Sequence, residues 1–337
     1  MSKIRVAING FGRIGRITFR KIQENGNMEV VAVNDITDSA NLAHLLKYDT
    51  LHGRFNGTVK HNGDHMLVNG KKVLVFNQPD PGKLPWKELK IDVVIESTGE
   101  FVERDQAIRH VEQSGARKVI ISAPAKGERE NVKYVVLGVN DHIIDKNDVI
   151  ISNASCTTNN VAPLIMILDE RWGIDKGFMT TVHSYTKDQN LVDGPHNDWR
   201  RGRAAGYSIV PTTTGAAKAA TKIFPHLEKN LGGAGIRVPV IDGSLTDLTC
   251  TVRKSTSIEE INAAFKEAAE GRLKGILEYT EDPIVSMDVI GNPHSAVFDA
   301  NLTAVLGDKN KLVKVVAWYD NEVGYSSRLV ELIGKFV

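Results

Sequence analysis

The sequence predicts a two-domain α/β protein: a doubly wound parallel sheet, followed by an α+β domain with a large, mostly antiparallel sheet. Three observations support this fold class. The chain has 337 residues, more than one ordinary hydrophobic core accommodates. Its first third alternates short apolar runs with helix-like segments. After Cys156 the strand-like runs become longer and fewer helices separate them.

In the first domain, apolar runs predict buried parallel strands at Lys3–Asn9, Glu29–Asn34, Asp92–Glu96 and Lys118–Ser122. Helical segments are predicted at Arg13–Asn25 and Glu103–Gln113. The stretch Gly57–Val75 is richer in Gly, Asn and β-branched residues, which predicts a short antiparallel insertion. Strands that alternate with helices are typical of a parallel sheet covered on both faces.

In the second domain, strands are predicted at Phe178–His183, Arg237–Ile241, Ser244–Arg253 and Leu312–Trp318, and helices at Gly215–Ile223 and Ser257–Ala269. The polar, turn-rich stretch Thr186–Ser208 is long enough to indicate a functional or interface loop. We place the first domain at residues 1–155 and the second at residues 156–321. A C-terminal helix, residues 322–337, is expected to pack back on the first domain.

Composition excludes several functional classes. Lys and Arg total 42 against 41 acidic residues, so the basic excess of a nucleic-acid-binding protein is absent. The N-terminus lacks the apolar region of a secretory signal, and no apolar run is long enough to predict a membrane span. The two cysteines are too few for a disulfide scaffold. These features predict a cytoplasmic protein, and nothing in the sequence predicts a metal site.

The segment Gly10–Gly15 matches the pattern G-x-G-x-x-G, directly after a predicted strand and at the start of a helix. In a Rossmann-type domain Gly10 permits the tight turn, Gly12 lets the backbone approach a diphosphate, and Gly15 allows close packing of helix on strand. Asp35 ends the next strand, where a carboxylate binds ribose hydroxyls and repels a 2′-phosphate. The pattern therefore predicts NAD rather than NADP as cofactor.

Cys156 is the candidate nucleophile. It follows a short strand and begins a segment with helical spacing, so the helix dipole should stabilise its thiolate. The alternative is a buried structural cysteine, but the surrounding hydroxyl and amide side chains disfavour an apolar site. Cys250 lies within an alternating strand and is interpreted as structural. Pro163 is expected to kink the helix after Cys156 or to shorten its regular part.

Spacing alone does not choose a base among ten histidines, although His183 ends a strand that leads into the polar loop. Thr214 and Gly215 precede a predicted helix, and such a helix start suits an anion. Arg237 lies in an apolar strand and needs an anionic partner. Arg201, with its neighbouring arginines, forms a basic patch that could bind substrate, face solvent or contact another subunit.

Nine segments carry a resemblance to a known family. They are INGFGRIGR, KYDTLHGRF, STGEF, ISAPAKG, SNASCTTN, TTVHSYT, TTTGAAKAA, IRVP and WYDNEVGYS, and they run in order from Ile8 to Ser326. In this series the chain resembles the glyceraldehyde-3-phosphate dehydrogenases over nearly its whole length. SNASCTTN is the most specific of the segments.

The resemblance implies roles by position. Cys156 matches the family nucleophile and His183 its general base. Groups that hold inorganic phosphate are matched by Ser155, Thr157, Thr214 and Gly215, and groups that hold substrate phosphate by Thr186, Arg201 and Arg237. Cofactor contacts are matched by Arg13, Ile14, Asp35, Ser122, Asn321 and Tyr325. The loop 186–208 resembles the S-shaped loop at the centre of a homotetramer.

The resemblance further implies phosphorylating oxidation of glyceraldehyde 3-phosphate by NAD, through a cysteine thioester. One alternative is an erythrose-4-phosphate dehydrogenase, which hydrolyses the thioester; another is an NAD-binding sensor without catalysis. Two departures from the family stand out. Asn160 replaces a frequent second cysteine, which excludes an oxidation switch that pairs Cys156 with a thiol one helical turn on. Pro79 replaces a frequent basic residue near the adenosine, which is expected to loosen cofactor binding.

Overall fold

A computed structural model describes residues 3–127, 132–307 and 309–337. The chain divides into two compact units: residues 1–135, 141–154 and 326–337 form the first, and residues 136–140 and 155–325 the second. These bounds differ from the predicted ones at two places. Ser155 belongs to the second unit, because it caps a helix of that unit, and residues 322–325 also belong there.

The first unit contains a sheet of nine strands: β1 Ile4–Asn9, β2 Met28–Asn34, β3 Val59–Asn62, β4 His65–Val68, β5 Lys71–Phe76, β6 Val93–Glu96, β7 Lys118–Ile121, β8 Lys133–Tyr134 and β9 Ile150–Ser152. Their order in the sheet is β3-β4-β5-β2-β1-β6-β7-β9-β8. The pairings from β5 to β8 are parallel, whereas β3, β4 and β5 pair antiparallel. The predicted doubly wound sheet with an antiparallel insertion is confirmed.

The helices of this region are α1 Arg13–Glu24, α2 Ser39–Lys47, α3 Arg104–Ala107 and α4 Arg109–Glu112. The single helix predicted at Glu103–Gln113 is thus two short helices, which meet at Ile108. Trp86, Ile91, Val94 and Val119 are among the side chains of a buried cluster under the sheet. This packing fixes the strand ends that carry the cofactor motif.

The second unit contains α5 Cys156–Trp172, α6 Ala216–Ile223 and α7 Ile258–Glu270. Its sheet has eight strands: β10 Ile174–Ser184, β11 Val210–Thr212, β12 Leu231–Val238, β13 Ser244–Val252, β14 Leu277–Thr280, β15 Ala296–Asp299, β16 Ala304–Leu306 and β17 Leu312–Tyr319. The order is β11-β12-β10-β13-β17-β15-β14, with β16 also paired to β17. Only β10–β12 and β14–β15 are parallel among these pairings, so the predicted, mostly antiparallel sheet is confirmed.

Helix α5 is buried on every side from Thr157 to Leu168 and forms the centre of the second core. It continues through Pro163, so the expected shortening is wrong; the proline removes one intrahelical N–H bond, and packing maintains the rest. The last helix, α8, is Val323–Phe336. Short 3-10 helices lie at Pro81–Lys83, Asp141–Ile143, Pro225–Leu227, Ser286–Val289 and Ala300–Leu302. Within the described ranges, no helix combines the length and apolar character needed to cross a membrane.

Candidate active site

The candidate nucleophile lies at the start of α5. Ser155 has extended backbone angles, φ −122° and ψ 165°, and its Oγ accepts a hydrogen bond of 3.1 Å from the Thr158 N–H. Ser155 thus caps the helix, and Cys156 is its first residue, at the positive end of the helix dipole. The preceding Ala154 is buried with φ +52°, a strained conformation that is frequent at functional sites.

Cys156 and His183 are in contact, with Sγ and Nε2 3.5 Å apart. Burial raises the pKa of the Cys156 thiol, although the charge of Arg237 and hydrogen bonds with Thr157 oppose this rise. Burial and the charge of Arg237 lower the pKa of His183 to about 3. Both directions favour a neutral thiol beside a neutral imidazole. Burial therefore opposes the thiolate that the helix dipole and the charge of Arg237 favour.

The tautomer of His183 follows from its neighbours. Nδ1 lies 2.7 Å from the carbonyl oxygen of Ser184, which can only accept, and 2.9 Å from Arg237 Nη1, which can only donate. Because the Ser184 carbonyl can accept from both groups, the ring proton is assigned to Nδ1. Arg237 stands opposite His183 on the adjacent parallel strand, and its Nη1 donates to the same carbonyl at 2.9 Å. Nε2 is thereby left as the acceptor that faces Cys156. A general base for the thiol needs this arrangement.

Tyr319 is a buried residue that the sequence analysis did not single out. Its hydroxyl lies 2.9 Å from the hydroxyls of both Thr157 and Thr181, and its ring meets His183 edge-on at a centroid distance of 6.0 Å. Burial raises the pKa of Tyr319, so the phenol stays neutral near pH 7. The tyrosine therefore positions the base and Thr157. A signal was present, since Tyr319 lies in WYDNEVGYS, two residues before Asn321.

A second polar cluster surrounds Asp188, also missed from the sequence although it lies in the polar loop. Arg201 donates to one carboxylate oxygen of Asp188 at 2.5 Å and to Thr212 Oγ1 at 3.0 Å. Thr186 donates to the other carboxylate oxygen. Burial opposes ionisation, but the Thr186 hydrogen bond and the charges of Arg237 and Arg201 lower the pKa of Asp188 overall. Asp188 thus joins Thr186 to Arg201, two of the three residues that the motif resemblance assigns to substrate phosphate.

Thr214 and Gly215 open α6 as predicted. Gly215 is the N-cap and has no side chain to cap the helix, while Thr214 Oγ1 accepts from the Ala216 N–H at 3.2 Å. The preceding strand β11 pairs with β12, and Val210 stands opposite Arg237. The helix start and the arginine therefore lie on neighbouring segments of the second unit, and both attract an anion.

Asn321 is buried, and its Oδ1 accepts hydrogen bonds from Ser184 at 2.9 Å and Ser244 at 2.7 Å. These two bonds fix the side-chain amide and leave Nδ2 as its donor toward a ligand. Both serines were missed, because they reach Asn321 only through the pairing of three strands. Tyr325 is buried in the first turn of α8.

The three glycines of the cofactor motif differ in their surroundings. Gly10 has φ +90°, and an added Cβ would lie 2.5 Å from the Thr98 nitrogen. At Gly15 an added Cβ would lie 2.2 Å from the Gly10 oxygen. At Gly12, the N-cap of α1, an added Cβ would meet no atom within 4 Å. The second glycine therefore leaves space before the helix N-terminus, and this cradle fits a dinucleotide diphosphate.

Asp35 follows β2, and its carboxylate is held beside that turn. Oδ2 accepts from the Phe11 N–H at 2.8 Å, and Oδ1 accepts from the Thr37 N–H at 3.2 Å. Ile14 is partly exposed in the first turn of α1. Ser122 follows β7, and its N–H donates to the Glu96 carbonyl at 2.9 Å. All of these groups belong to the first unit.

Arg13, the first residue of α1, forms a salt bridge with Asp49, another residue that sequence reasoning missed. Burial opposes ionisation of Asp49, but the hydrogen bond from Arg13 and two backbone N–H groups lower its pKa to about 2. The pair fixes the arginine side chain beside the helix start. Asp49 lies in KYDTLHGRF, so its motif was visible although its partner was not.

Cys250 is buried in β13, and burial raises its pKa to about 12. The prediction that it is structural is confirmed. Asn160 is also buried, and its Nδ2 donates to the carbonyls of Ser295 at 3.3 Å and Trp318 at 3.2 Å. Asn160, at the position of the frequent second cysteine, thus connects α5 to the loop before β15 and to strand β17.

The sequence of the chain is similar to proteins of one known family. The family model "Glyceraldehyde 3-phosphate dehydrogenase, NAD binding domain" matches residues 4–104, and the model of the C-terminal domain of the same family matches residues 155–321. The glyceraldehyde-3-phosphate dehydrogenase of Thermotoga maritima is 55% identical over 331 residues, which cover 98% of each chain. That of Geobacillus stearothermophilus is 53% identical over 330 residues, 98% of this chain and 97% of the relative. Glyceraldehyde-3-phosphate dehydrogenase 2 of Bacillus subtilis is 52% identical over 332 residues, 98% of this chain and 96% of the relative.

Proposed function

The chain belongs to the glyceraldehyde-3-phosphate dehydrogenase family, and from this premise we propose that it oxidises glyceraldehyde 3-phosphate with NAD and inorganic phosphate to 1,3-bisphosphoglycerate. One observation carries the proposal. The Cys156 sulfur lies 3.5 Å from the unprotonated nitrogen of His183, and Arg237 contacts the same imidazole at 2.9 Å. A nucleophile, a base and a fixed cation for a phosphate thus meet in one place.

The reaction begins with proton transfer from the Cys156 thiol to His183 Nε2. The sulfur then adds to the aldehyde carbon, and the carbonyl oxygen becomes negative. The Cys156 N–H at the helix start and the imidazolium stabilise this oxygen. The imidazolium returns its proton to the oxygen, which gives a thiohemiacetal and a neutral His183.

When bound, NAD supplies the acceptor for the hydride that leaves the thiohemiacetal carbon. His183 takes the hydroxyl proton in the same step, so the carbon becomes the carbonyl of a thioester. Asn321, fixed by its two serine hydroxyls, is the proposed donor to the carboxamide, and Asp35 the proposed ribose ligand that disfavours NADP. The remaining proposed cofactor contacts are Gly10, Gly12, Arg13, Ile14, Gly15, Ser122 and Tyr325.

Inorganic phosphate then attacks the thioester carbon and the carbon–sulfur bond breaks. The Cys156 sulfur takes the proton held by His183, the phosphate proton passes to solvent, and an acyl phosphate leaves. The proposed phosphate donors are Ser155, Thr157, Thr214 and Gly215, and the proposed ligands of the substrate phosphate are Thr186, Arg201 and Arg237. Two arginines and two helix starts suit anions better than water. They therefore support phosphorolysis rather than the hydrolysis of an erythrose-4-phosphate dehydrogenase.

The test is NADH formation from glyceraldehyde 3-phosphate with and without phosphate. We expect steady-state turnover to saturate with phosphate, and without phosphate a burst near one NADH per active site. Thr214→Ala should weaken the phosphate dependence by roughly 1–3 kcal/mol, the contribution of a hydrogen bond to a charged group. Rapid multiple turnovers in buffer free of phosphate and arsenate would instead indicate hydrolysis. A sensor without catalysis would show no iodoacetamide-sensitive activity.

We also propose a cytoplasmic homotetramer in which loop 186–208 lies between subunits. In the single chain, Trp199 is 89% exposed and Tyr207 94% exposed, and Leu191, Val192 and Ile209 are also exposed nearby. A cluster of large apolar side chains of this kind marks an interface. Light scattering on the purified protein measures the subunit number, and a monomer at micromolar concentration contradicts the proposal.

A further inference from the structure

Three adjacent strands of the first unit, β1, β2 and β6, end in buried polar side chains. Asn9, Asn34 and Glu96 are the last residues of β1, β2 and β6, and they stand side by side in the register of the sheet. All three are at most 5% exposed. Buried polar residues weaken a core unless they are fully hydrogen-bonded, so their alignment on adjacent strands requires a structural or functional reason.

These side chains form one continuous chain of hydrogen bonds. Asn34 Nδ2 donates to Asn9 Oδ1 at 2.7 Å, and Asn9 Nδ2 donates to Glu96 Oε2 at 2.5 Å. The same Glu96 oxygen lies 3.0 Å from His110 Nε2, and Trp86 Nε1 donates to His110 Nδ1 at 3.0 Å. We call these five residues the strand-end network.

The donor of each bond is determined. An indole N–H can only donate, so His110 Nδ1 accepts, Nε2 carries the ring proton, and the neutral imidazole donates to Glu96. The second oxygen of Glu96 accepts the N–H of Thr98 at 2.8 Å and its hydroxyl at 2.5 Å. Glu96 is therefore an acceptor for donors on both oxygens, which is the role of a carboxylate.

The network also fixes the segments that follow the three strands. Thr98, held by Glu96, is the backbone neighbour that an added Cβ on Gly10 would strike. Ser97 Oγ donates to the Gly10 carbonyl at 2.7 Å, and Asn34 exchanges two bonds of 2.9 Å with the backbone of Gln78. Asp35 comes directly after Asn34. The diphosphate turn, the ribose carboxylate and the loop after β6 are thus joined through Asn9, Asn34 and Glu96, and His110 holds Glu96 from the other side.

We propose that the strand-end network is a positioning device for NAD, in which Glu96 and His110 set cofactor affinity without contacting the cofactor. The inference rests on the proposed NAD site at Gly10–Gly15. This effect on NAD affinity distinguishes the network from an ordinary buried polar cluster, which would contribute to folding stability alone.

The decisive comparison uses one chemical change at opposite ends of β6. Glu96→Gln removes the carboxylate of the network, whereas Asp92→Asn, just before the strand, removes a carboxylate that accepts the Arg5 N–H at 2.9 Å. We expect Glu96→Gln to raise the Kd for NAD about tenfold, as the loss of a hydrogen bond to a charge predicts. Asp92→Asn should lower Tm but leave the Kd for NAD unchanged. Calorimetric titration with NAD and thermal denaturation measure both quantities.

Two substitutions at His110 separate its hydrogen bond to Glu96 from its packing in the core. They test the proposal even if Glu96→Gln folds poorly. His110→Gln can still donate to Glu96, so NAD affinity should stay near that of the unmodified protein, whereas His110→Leu should lose affinity. Equal affinities in all variants, or tighter binding by His110→Leu than by His110→Gln, overturn the proposal. If the unmodified protein itself fails to bind NAD, the proposed function is wrong instead.

Discussion

The two units present their proposed functional groups in opposite ways. In the first unit the cofactor cradle is mainly backbone: Gly10, Gly12 and Gly15 lie within one turn and helix start, and Asp35 is bonded to the same turn. In the second unit the reacting groups are side chains from distant parts of the chain. Thr157 and Tyr319, which share a 2.9 Å hydrogen bond, are 162 residues apart.

The difference extends to charge. The buried carboxylate of the first unit, Glu96, has donors on both oxygens. The second unit brings a thiol, an imidazole and a guanidinium together, and there burial and the charge of Arg237 lower the pKa of His183 to about 3. A backbone cradle binds a cofactor without titrating, whereas a side-chain cluster has the perturbed proton affinities that catalysis uses. We therefore expect substitutions in the first unit to change cofactor affinity, and substitutions in the second unit to change turnover and its pH dependence.

The largest expected effect separates the two cysteines of the second unit. Cys156→Ser should reduce turnover by roughly 10⁴-fold or more, as the loss of a nucleophile does elsewhere, and should leave the Kd for NAD unchanged. Cys250→Ser is the matched control: it places a hydroxyl in a buried strand, so it should lower Tm while turnover per folded protein persists. NADH formation and thermal denaturation measure both. Substantial turnover by Cys156→Ser contradicts the assignment.

The next effect concerns the base. His183→Asn should slow hydride transfer by roughly 10²–10⁴-fold, measured as the presteady-state NADH burst. Since the pKa of His183 is about 3 in the folded protein, its imidazole stays neutral as pH falls through 6.5. Alkylation of Cys156 by iodoacetamide should therefore rise only toward alkaline pH, because burial raises the thiol pKa. A reactive plateau already present at pH 6 indicates a thiolate–imidazolium pair and contradicts the lowered pKa of His183.

The cofactor cradle of the first unit was easier to predict from the sequence than the side-chain cluster of the second unit. The glycine spacing, Asp35 and the position of Cys156 at a helix start are local, and local patterns predict them. His183 was a weak prediction from spacing, since only the β10–β12 register places it beside Arg237. Tyr319 joins the site through the β13–β17 pairing that brings its strand into the sheet. Contacts created by strand register are invisible to a reading of short segments.

A smaller effect tests the backbone cradle. At Gly12 an added Cβ meets nothing, so Gly12→Ala should fold with nearly unchanged Tm but bind NAD more weakly, by roughly tenfold, since the methyl group occupies the diphosphate space. At Gly15 the Cβ would lie 2.2 Å from the Gly10 oxygen, so Gly15→Ala should lower Tm as well. Titration with NAD and calorimetry separate the two. Equal Tm losses would remove the distinction between cradle and packing glycines.

The smallest effect on turnover, and the clearest on stability, concerns a buried carboxyl of the second unit. Asp242 is fully buried, and burial together with the charges of Asp320 and Glu322 raises its pKa from 3.8 to about 9. The folded chain therefore holds a proton that the unfolded chain releases above pH 3.8. Stability from this group is fully present below that pH and is lost as pH rises toward 9.

Asp242→Asn keeps the shape of the neutral carboxyl and abolishes its titration. The variant should match the unmodified protein near pH 4 and exceed its stability at pH 8 by roughly 1–3 kcal/mol. Glu96→Gln should be destabilising for a different reason, because it removes an acceptor from the donors that lie on both carboxylate oxygens. Urea unfolding at the two pH values measures the difference, with turnover at pH 7 as a check that the site is intact. If the urea midpoints of Asp242→Asn and of the unmodified protein change equally with pH, the pKa of Asp242 is not raised in the folded protein. The proposed difference between the buried carboxyl groups of the two units is then wrong.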